Sequence, residues 1–183
     1  MSLLDIRVLG DPILRRDTTI VPAVTDDIRR LADDMFETMY AAKGIGLAAP
    51  QVGRLERVAV VDVDGARFAL VNPEIVQQDG TIKGEEGCLS IPDIYADVER
   101  FGTVTVRALD LQGEPFEIEA TDLLGRCFQH EIDHLHGRLF IDKLSMLKKR
   151  SAVQKWEKLK STYPGFLRKV VPGEFDDDRE DTL

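Results

Sequence analysis

Gln129-His130-Glu131-Ile132-Asp133-His134-Leu135-His136-Gly137 is the stretch around which the rest of the chain can be read. It belongs to a helix: Thr121 or Asp122 can cap the start, Leu124, Phe128, Ile132 and Leu135 recur at helical spacing, and Gly137 stands where a helix stops. His130 and His134 share a face, because positions i and i+4 bring Cβ atoms within about 5–6 Å of each other. Two imidazoles so placed can bind one divalent metal at roughly 2.0–2.1 Å. Glu131 then flanks the ion as a proton acceptor for water rather than as a ligand. Both histidines lie off the apolar stripe, so a plain core role does not account for them. The alternative is a solvated helix face that matches a short pattern by chance.

A catalytic site of this kind takes a third protein ligand and leaves one position to water. One class supplies a His three residues after the Gly, but that position holds Phe140. Glu157 is the downstream carboxylate that a gluzincin-like metallopeptidase would use. It stands beside Trp156 in a basic helix, where an ion pair with a neighbouring Lys is the simpler role. His136 points the wrong way to complete a helical pair and reads as a surface residue. Cys88, in Glu85-Glu86-Gly87-Cys88-Leu89-Ser90-Ile91-Pro92, fits an irregular loop or strand end from which a thiol can reach a distant helix. A lone Cys is more often a small buried hydrophobe, and Cys127, one turn before His130, is read that way.

Outward from this helix, Thr25 caps a first helix near 25–42 on which Ile28, Leu31, Ala32, Met35 and Met39 share a face. The run 44–53 reads as a Gly-rich loop. Arg57 to Val63 and Ala66 to Val71 are strands joined at Asp64-Gly65. Asn72-Pro73 should break the second strand, with a shorter one near 74–78. Strands at 102–109 and 114–120 turn through Asp110 to Gly113. A third helix, about 143–162, carries Leu144, Leu147, Val153, Trp156 and Leu159, and Tyr163-Pro164-Gly165 ends it. The class is α+β: mostly antiparallel sheets packed around the His130–His134 helix, with an N-terminal and a C-terminal helix. No repeat or linker divides the chain, so 1–165 is expected to be one domain and 166–183 a disordered acidic tail.

Composition narrows the function. The 183 residues are 43% hydrophobic and 31% charged, values of a globular chain rather than a disordered one. The net charge of −9 excludes a generic nucleic-acid binder, which needs a basic surface. Much of that charge is local, since Glu174 to Leu183 carries six acids and one Arg. Two cysteines make no disulfide framework. The start, Met1 to Arg7, lacks a signal-peptide pattern, and no apolar run approaches the ~20 residues of a membrane helix. A cytoplasmic protein without membrane or specific DNA partners is expected.

Three segments carry a resemblance. Gly44-Ile45-Gly46-Leu47-Ala48-Ala49-Pro50-Gln51, then Glu86-Gly87-Cys88-Leu89-Ser90, then the histidine stretch resemble, in that order, the signature motifs of the peptide deformylases. The likeness includes Gly10-Asp11-Pro12 and the flanking helices, and so spans about residues 5–165. One HExxH is common; the three motifs in this order are specific.

The resemblance implies a metal-dependent hydrolase that removes the formyl group from the formylmethionine of nascent polypeptides and releases formate. Cys88, His130 and His134 would hold one divalent ion per chain, Fe²⁺ foremost, with Zn²⁺, Ni²⁺ or Co²⁺ also suited to such donors. A metal-bound water would attack the formyl carbonyl, with Glu131 as general base and then general acid. The Gln51 side-chain amide and the Leu89 N–H would donate to the oxyanion. The backbone of Gly44, Ile45 and Gly46 would hold the peptide as an added strand. Ile45, Leu123, Cys127 and the stem of Arg126 would line a slot for methionine, with His130 at its floor. Some members carry an Arg after the second motif where this chain reads Asp93-Ile94-Tyr95, so Tyr95 is the candidate replacement. The basic third helix matches one that docks on the ribosome in bacterial members; a solvated face is the plain alternative. Two other readings stay open: a gluzincin-like peptidase using Glu157, and a structural metal module.

Overall fold

The computed structural model describes residues 2–172. An N-terminal strand β1 (Ile6–Arg7) leads to the first helix. Thr25, in extended backbone, accepts a hydrogen bond from the Ile28 N–H and so starts α1 (Asp26–Ala41), with Asp26 and Asp27 favourably placed at its positive end. The expected face is the buried one. Ile28, Leu31, Met35 and Met39 pack with Leu47, Val58 and Val60.

The Gly-rich run after α1 is more ordered than a loop. Gly46–Ala48 form β2, and Ala49–Val52 wind into one 3₁₀ turn. β3 (Val58–Val63) turns at Asp64-Gly65 into β4 (Ala66–Asp79), and both turn residues have positive φ, as a two-residue hairpin of this hand requires. β4 does not break at Asn72-Pro73. The register shifts there as a bulge, while the Asn72 amide takes over backbone pairing by accepting from Val21 N–H and donating to Val21 O, each at 2.8 Å. The expected short strand near 74–78 is thus the second half of β4.

A hairpin follows, β5 (Ile82–Cys88) and β6 (Ile91–Arg100). Its glycines and charged residues dilute the alternation that marks a strand in sequence. β7 (Thr103–Leu109) and β8 (Pro115–Thr121) complete the main sheet, antiparallel in the order β2-β3-β4-β7-β8, while β5-β6 form a separate two-stranded sheet. α2 (Asp122–Leu135) lies between these sheets and is buried from Gly125 through Leu135. This is the expected α+β arrangement.

α3 (Met146–Leu159) starts at a Ser145 cap, shorter than the 143–162 expected. Its inner face is Ala152 and Trp156, with Trp156 stacked on Tyr163, whereas Leu147 is 81% exposed. Positions 147 and 152 differ by about 140° around a helix, so one stripe cannot include both. The folded body also continues past residue 165: β9 (Leu167–Arg168) pairs with β1, and Val170 is buried in the α1 core. The acidic stretch from 173 lies outside the described residues. Among the described residues no helix is long and apolar enough to cross a membrane.

Candidate metal and active centre

Three elements converge at one point. α2 supplies His130 and His134, β5 ends on Cys88, and the 3₁₀ turn after β2 supplies Gln51; all four side chains are buried. The Cys88 Sγ lies 3.3 Å from His134 Nε2, which lies 3.2 Å from His130 Nε2. Cys88, His130 and His134 are, among the described residues, the group whose ligand atoms cluster within 4.8 Å of one another. A tetrahedral ion with bonds of about 2.0–2.1 Å to nitrogen and 2.3 Å to sulfur puts its ligands about 3.3–3.6 Å apart. The donors present therefore fit such an ion.

Electrostatics agree. Burial, then the neighbouring His130, holds His134 well below the ordinary imidazole value, leaving it neutral as a ligand must be. Burial, reinforced by Glu131 and Glu86, pushes the Cys88 thiol far up, so a thiolate there requires a cation beside it. Neither Glu131 oxygen has a hydrogen-bond partner among the described residues, and the side chain is fully buried. Burial raises its pKa well above the usual carboxylate range, and Glu86 and Asp133 add to that against the pull of Arg100. A buried, unpartnered carboxyl beside three converging donors is a costly arrangement unless something enters the site.

Gly46 is part of this geometry. A Cβ there would fall on Glu131 Oε1 and within 2.9 Å of Cys127 Sγ, so only glycine lets β2 pass over the carboxylate. Gln51 is fixed in orientation. Its Oε1 accepts from Ala48 N–H at 2.8 Å, so its amide nitrogen faces Ser90 Oγ at 3.1 Å and Cys88 Sγ at 3.7 Å. Leu89 follows Cys88 in the hairpin turn, with its carbonyl accepting from Arg168 at 3.2 Å. Tyr95 lines a cleft of about 300 Å³ beside Cys88 and Leu89, shared with Tyr163 and Arg168.

Of the other expected site residues, Ile45, Leu123 and Cys127 do meet in one apolar cluster. The Ile45 carbonyl is taken by Asp62 N–H at 2.8 Å, so it faces β3 rather than the open side of β2. Gly44 N–H is likewise spent, on Met39 O. Arg126 turns its guanidinium inward, to Glu86 at 2.8 Å and the Val98 carbonyl at 3.1 Å. Glu157, on α3, is half exposed and pairs with Lys160 just past the helix end; His136 pairs with Asp17 at 3.0 Å.

Glu86 has a role that its sequence context did not disclose. Its Oε2 accepts from His130 Nδ1 at 3.0 Å, which leaves Nε2 as the free donor. Burial would raise the Glu86 pKa, but Arg100 and His130 outweigh it and hold the group well below the usual carboxylate range. The available signal was periodicity: on a strand, residues 86 and 88 face the same way.

The fold and this site define a metal-dependent hydrolase of the HExxH type. The sequence matches the family model for polypeptide deformylase over residues 3–150. A peptide deformylase of Alkalilimnicola ehrlichii is 56% identical over 123 residues, covering 65% of this chain and 69% of the relative. One from Heliobacterium modesticaldum is 52% identical over 119 residues, 65% of this chain and 79% of the relative. Among solved structures, a peptide deformylase from Legionella pneumophila aligns with TM-score 0.84 at 46% identity, covering 88% and 97% of the two chains. That of Ehrlichia chaffeensis in complex with actinonin aligns with TM-score 0.85 at 39% identity, covering 90% and 99%. The chain belongs to the polypeptide deformylase family, and it is accordingly an enzyme, a metal-dependent hydrolase that removes N-formyl groups.

Proposed function

We propose that the enzyme removes the formyl group from the formylmethionine of nascent polypeptides at the Cys88, His130 and His134 site, releasing formate. The observation that carries this reading is Glu131: a buried carboxyl with two unpartnered oxygens, beside three convergent donors and under an edge strand. Cys88 Sγ and the two Nε2 atoms would hold one divalent ion, and the family resemblance favours Fe²⁺ over Zn²⁺, Ni²⁺ or Co²⁺. Bound there, the ion supplies Lewis acidity and makes water a nucleophile near neutral pH.

The chain's own residues do the rest. Glu131 takes a proton from the attacking water and delivers it to the leaving amine, a role suited to a carboxyl whose pKa burial has raised. Gln51 directs its amide N–H toward the developing oxyanion, and the Leu89 N–H is the second donor. The peptide pairs with the open side of β2, the end strand of its sheet, through Gly46 and the carbonyl of the preceding Gly44. Methionine enters the cluster of Ile45, Leu123 and Cys127, with the Arg126 stem at its side. Tyr95 contacts the peptide beyond methionine. The basic face of α3 meets ribosomal RNA phosphates, and the reading puts the enzyme in the cytoplasm.

The deciding experiment is anaerobic formate release from a formyl-Met tripeptide with Fe²⁺- or Ni²⁺-loaded protein. Release that a chelator stops and metal restores is expected. No release with one metal confirmed per chain would overturn the assignment.

A further inference from the structure

The sulfur and nitrogen donors ride on different pieces of the fold. Cys88 ends β5, whose strand partner is β6, whereas His130 and His134 belong to α2. No sheet ladder joins that hairpin to the helix, so side chains must set their spacing. Arg126 of α2 reaches across the gap to Glu86 and the Val98 carbonyl, and Arg100, the last residue of β6, ties Glu86 of its own hairpin to Asp133 of the helix. Its Nε and Nη2 grip the two Glu86 oxygens at 2.7 and 2.9 Å, and its Nη1 reaches Asp133 at 2.6 Å. Glu86 in turn accepts from His130, and Asp133 immediately precedes His134. The Arg100 side chain is only 1% exposed, so these bonds are not shared with solvent.

Resting on the ligand assignment above, we propose that Arg100 is a positioning residue. By bracing Glu86 against His130 and holding Asp133 on the ligand turn, it fixes the Cys88 hairpin relative to the histidine helix, and with it the retention of the bound metal. Lysine cannot substitute, because one ammonium carries the charge without the planar fork that spans three oxygens. The plain alternative is a buried ion pair that serves the fold alone.

The test uses Co²⁺-loaded enzyme and reads the rate of Co²⁺ loss to a chelator, the thiolate-to-Co²⁺ absorption and the thermal midpoint. Arg100→Lys should lose Co²⁺ about tenfold faster or more and shift the absorption; Asp133→Asn should move both in the same direction by less. Val98→Ala deletes an apolar contact from the same strand without touching the clamp, and should lower the midpoint while keeping the parent's off-rate and absorption. Parental off-rate and absorption in Arg100→Lys and Asp133→Asn would overturn the proposal, as would Co²⁺ loss in Val98→Ala as fast as theirs. Should Arg100→Lys not fold, Asp133→Asn decides alone. Cys88→Ser in the same assay separates the two levels: retention of the absorption there would sink the ligand assignment, whatever Arg100 does.

Discussion

Replacing Glu131 by Gln exchanges one oxygen for an amide of nearly the same size and removes only the group that can carry a proton in and out. The variant should keep its metal and fold while kcat falls by about 10²–10⁴-fold, measured by formate release beside metal analysis. Gly46→Ala perturbs the same group from the other side. The added methyl clashes with Glu131 Oε1, and displacing the carboxyl proposed to move the proton by about 1 Å should cost on the order of 10²-fold in turnover; parental kcat with an unchanged thermal midpoint would refute the contact. Spacing alone singled out Glu131, His130 and His134; Gln51 and Gly46 entered only through the family resemblance, which cast Gly46 as peptide-binding backbone and did not disclose its contact with Glu131. Arg100 was not legible, because it acquires its role by standing opposite Ile82 in a hairpin and reaching across to a helix, and no pattern along the chain shows that the hairpin and the helix meet. Arg126 was legible as a residue near the site, but the direction of its guanidinium follows from the burial of Glu86, which only the packed structure reveals.

At the level of elements, the phase of α3 makes a clean comparison. Trp156→Ala should cost about 3–5 kcal/mol in urea denaturation, whereas Leu147→Ala, on the solvent side, should stay within about 0.5 kcal/mol. Comparable losses would mean that the helix packs in another rotation. The 3₁₀ turns Pro12–Arg15 and Phe140–Lys143 are fastened together by Asp142, which accepts from Arg15 at 2.6 and 3.2 Å and from the Leu139 N–H at 2.9 Å. Partial burial would raise its pKa, but these bonds outweigh that and depress it. Stability from a depressed acid is present above its unfolded value, about 3.9, and is lost as pH falls through the folded value. Asp142→Asn should therefore cost about 1 kcal/mol at pH 6 and less at pH 3; an equal cost at both would remove the charge from the explanation. Sequence patterns located all three helices because each has a cap or a stop and an apolar stripe. They failed where pairing is supplied from afar. β2 is too short to show alternation, and the continuity of β4 across Pro73 depends on an amide bonding a backbone fifty residues away.

For the whole molecule, the core among the described residues is built from three apolar clusters of ten or more buried residues, and only the one that contains Cys88 includes a proposed metal ligand. Chelation should accordingly leave the far-UV circular dichroism unchanged at 25 °C and lower only the thermal midpoint, by a linkage near 4 kcal/mol when metal stands 1,000-fold above its dissociation constant. Unfolding on chelation would instead make the metal a folding staple. The separation of donors between hairpin and helix also dictates an order of assembly. The two imidazoles are a single helical turn apart and can meet a cation as soon as that turn exists, whereas Cys88 stands 46 residues from His134. Closing a loop of that length costs about 3 kcal/mol in chain entropy. A chain emerging during synthesis exposes the thiol first and the imidazoles last, so the sulfur waits, unliganded, until its hairpin docks on a helix made later.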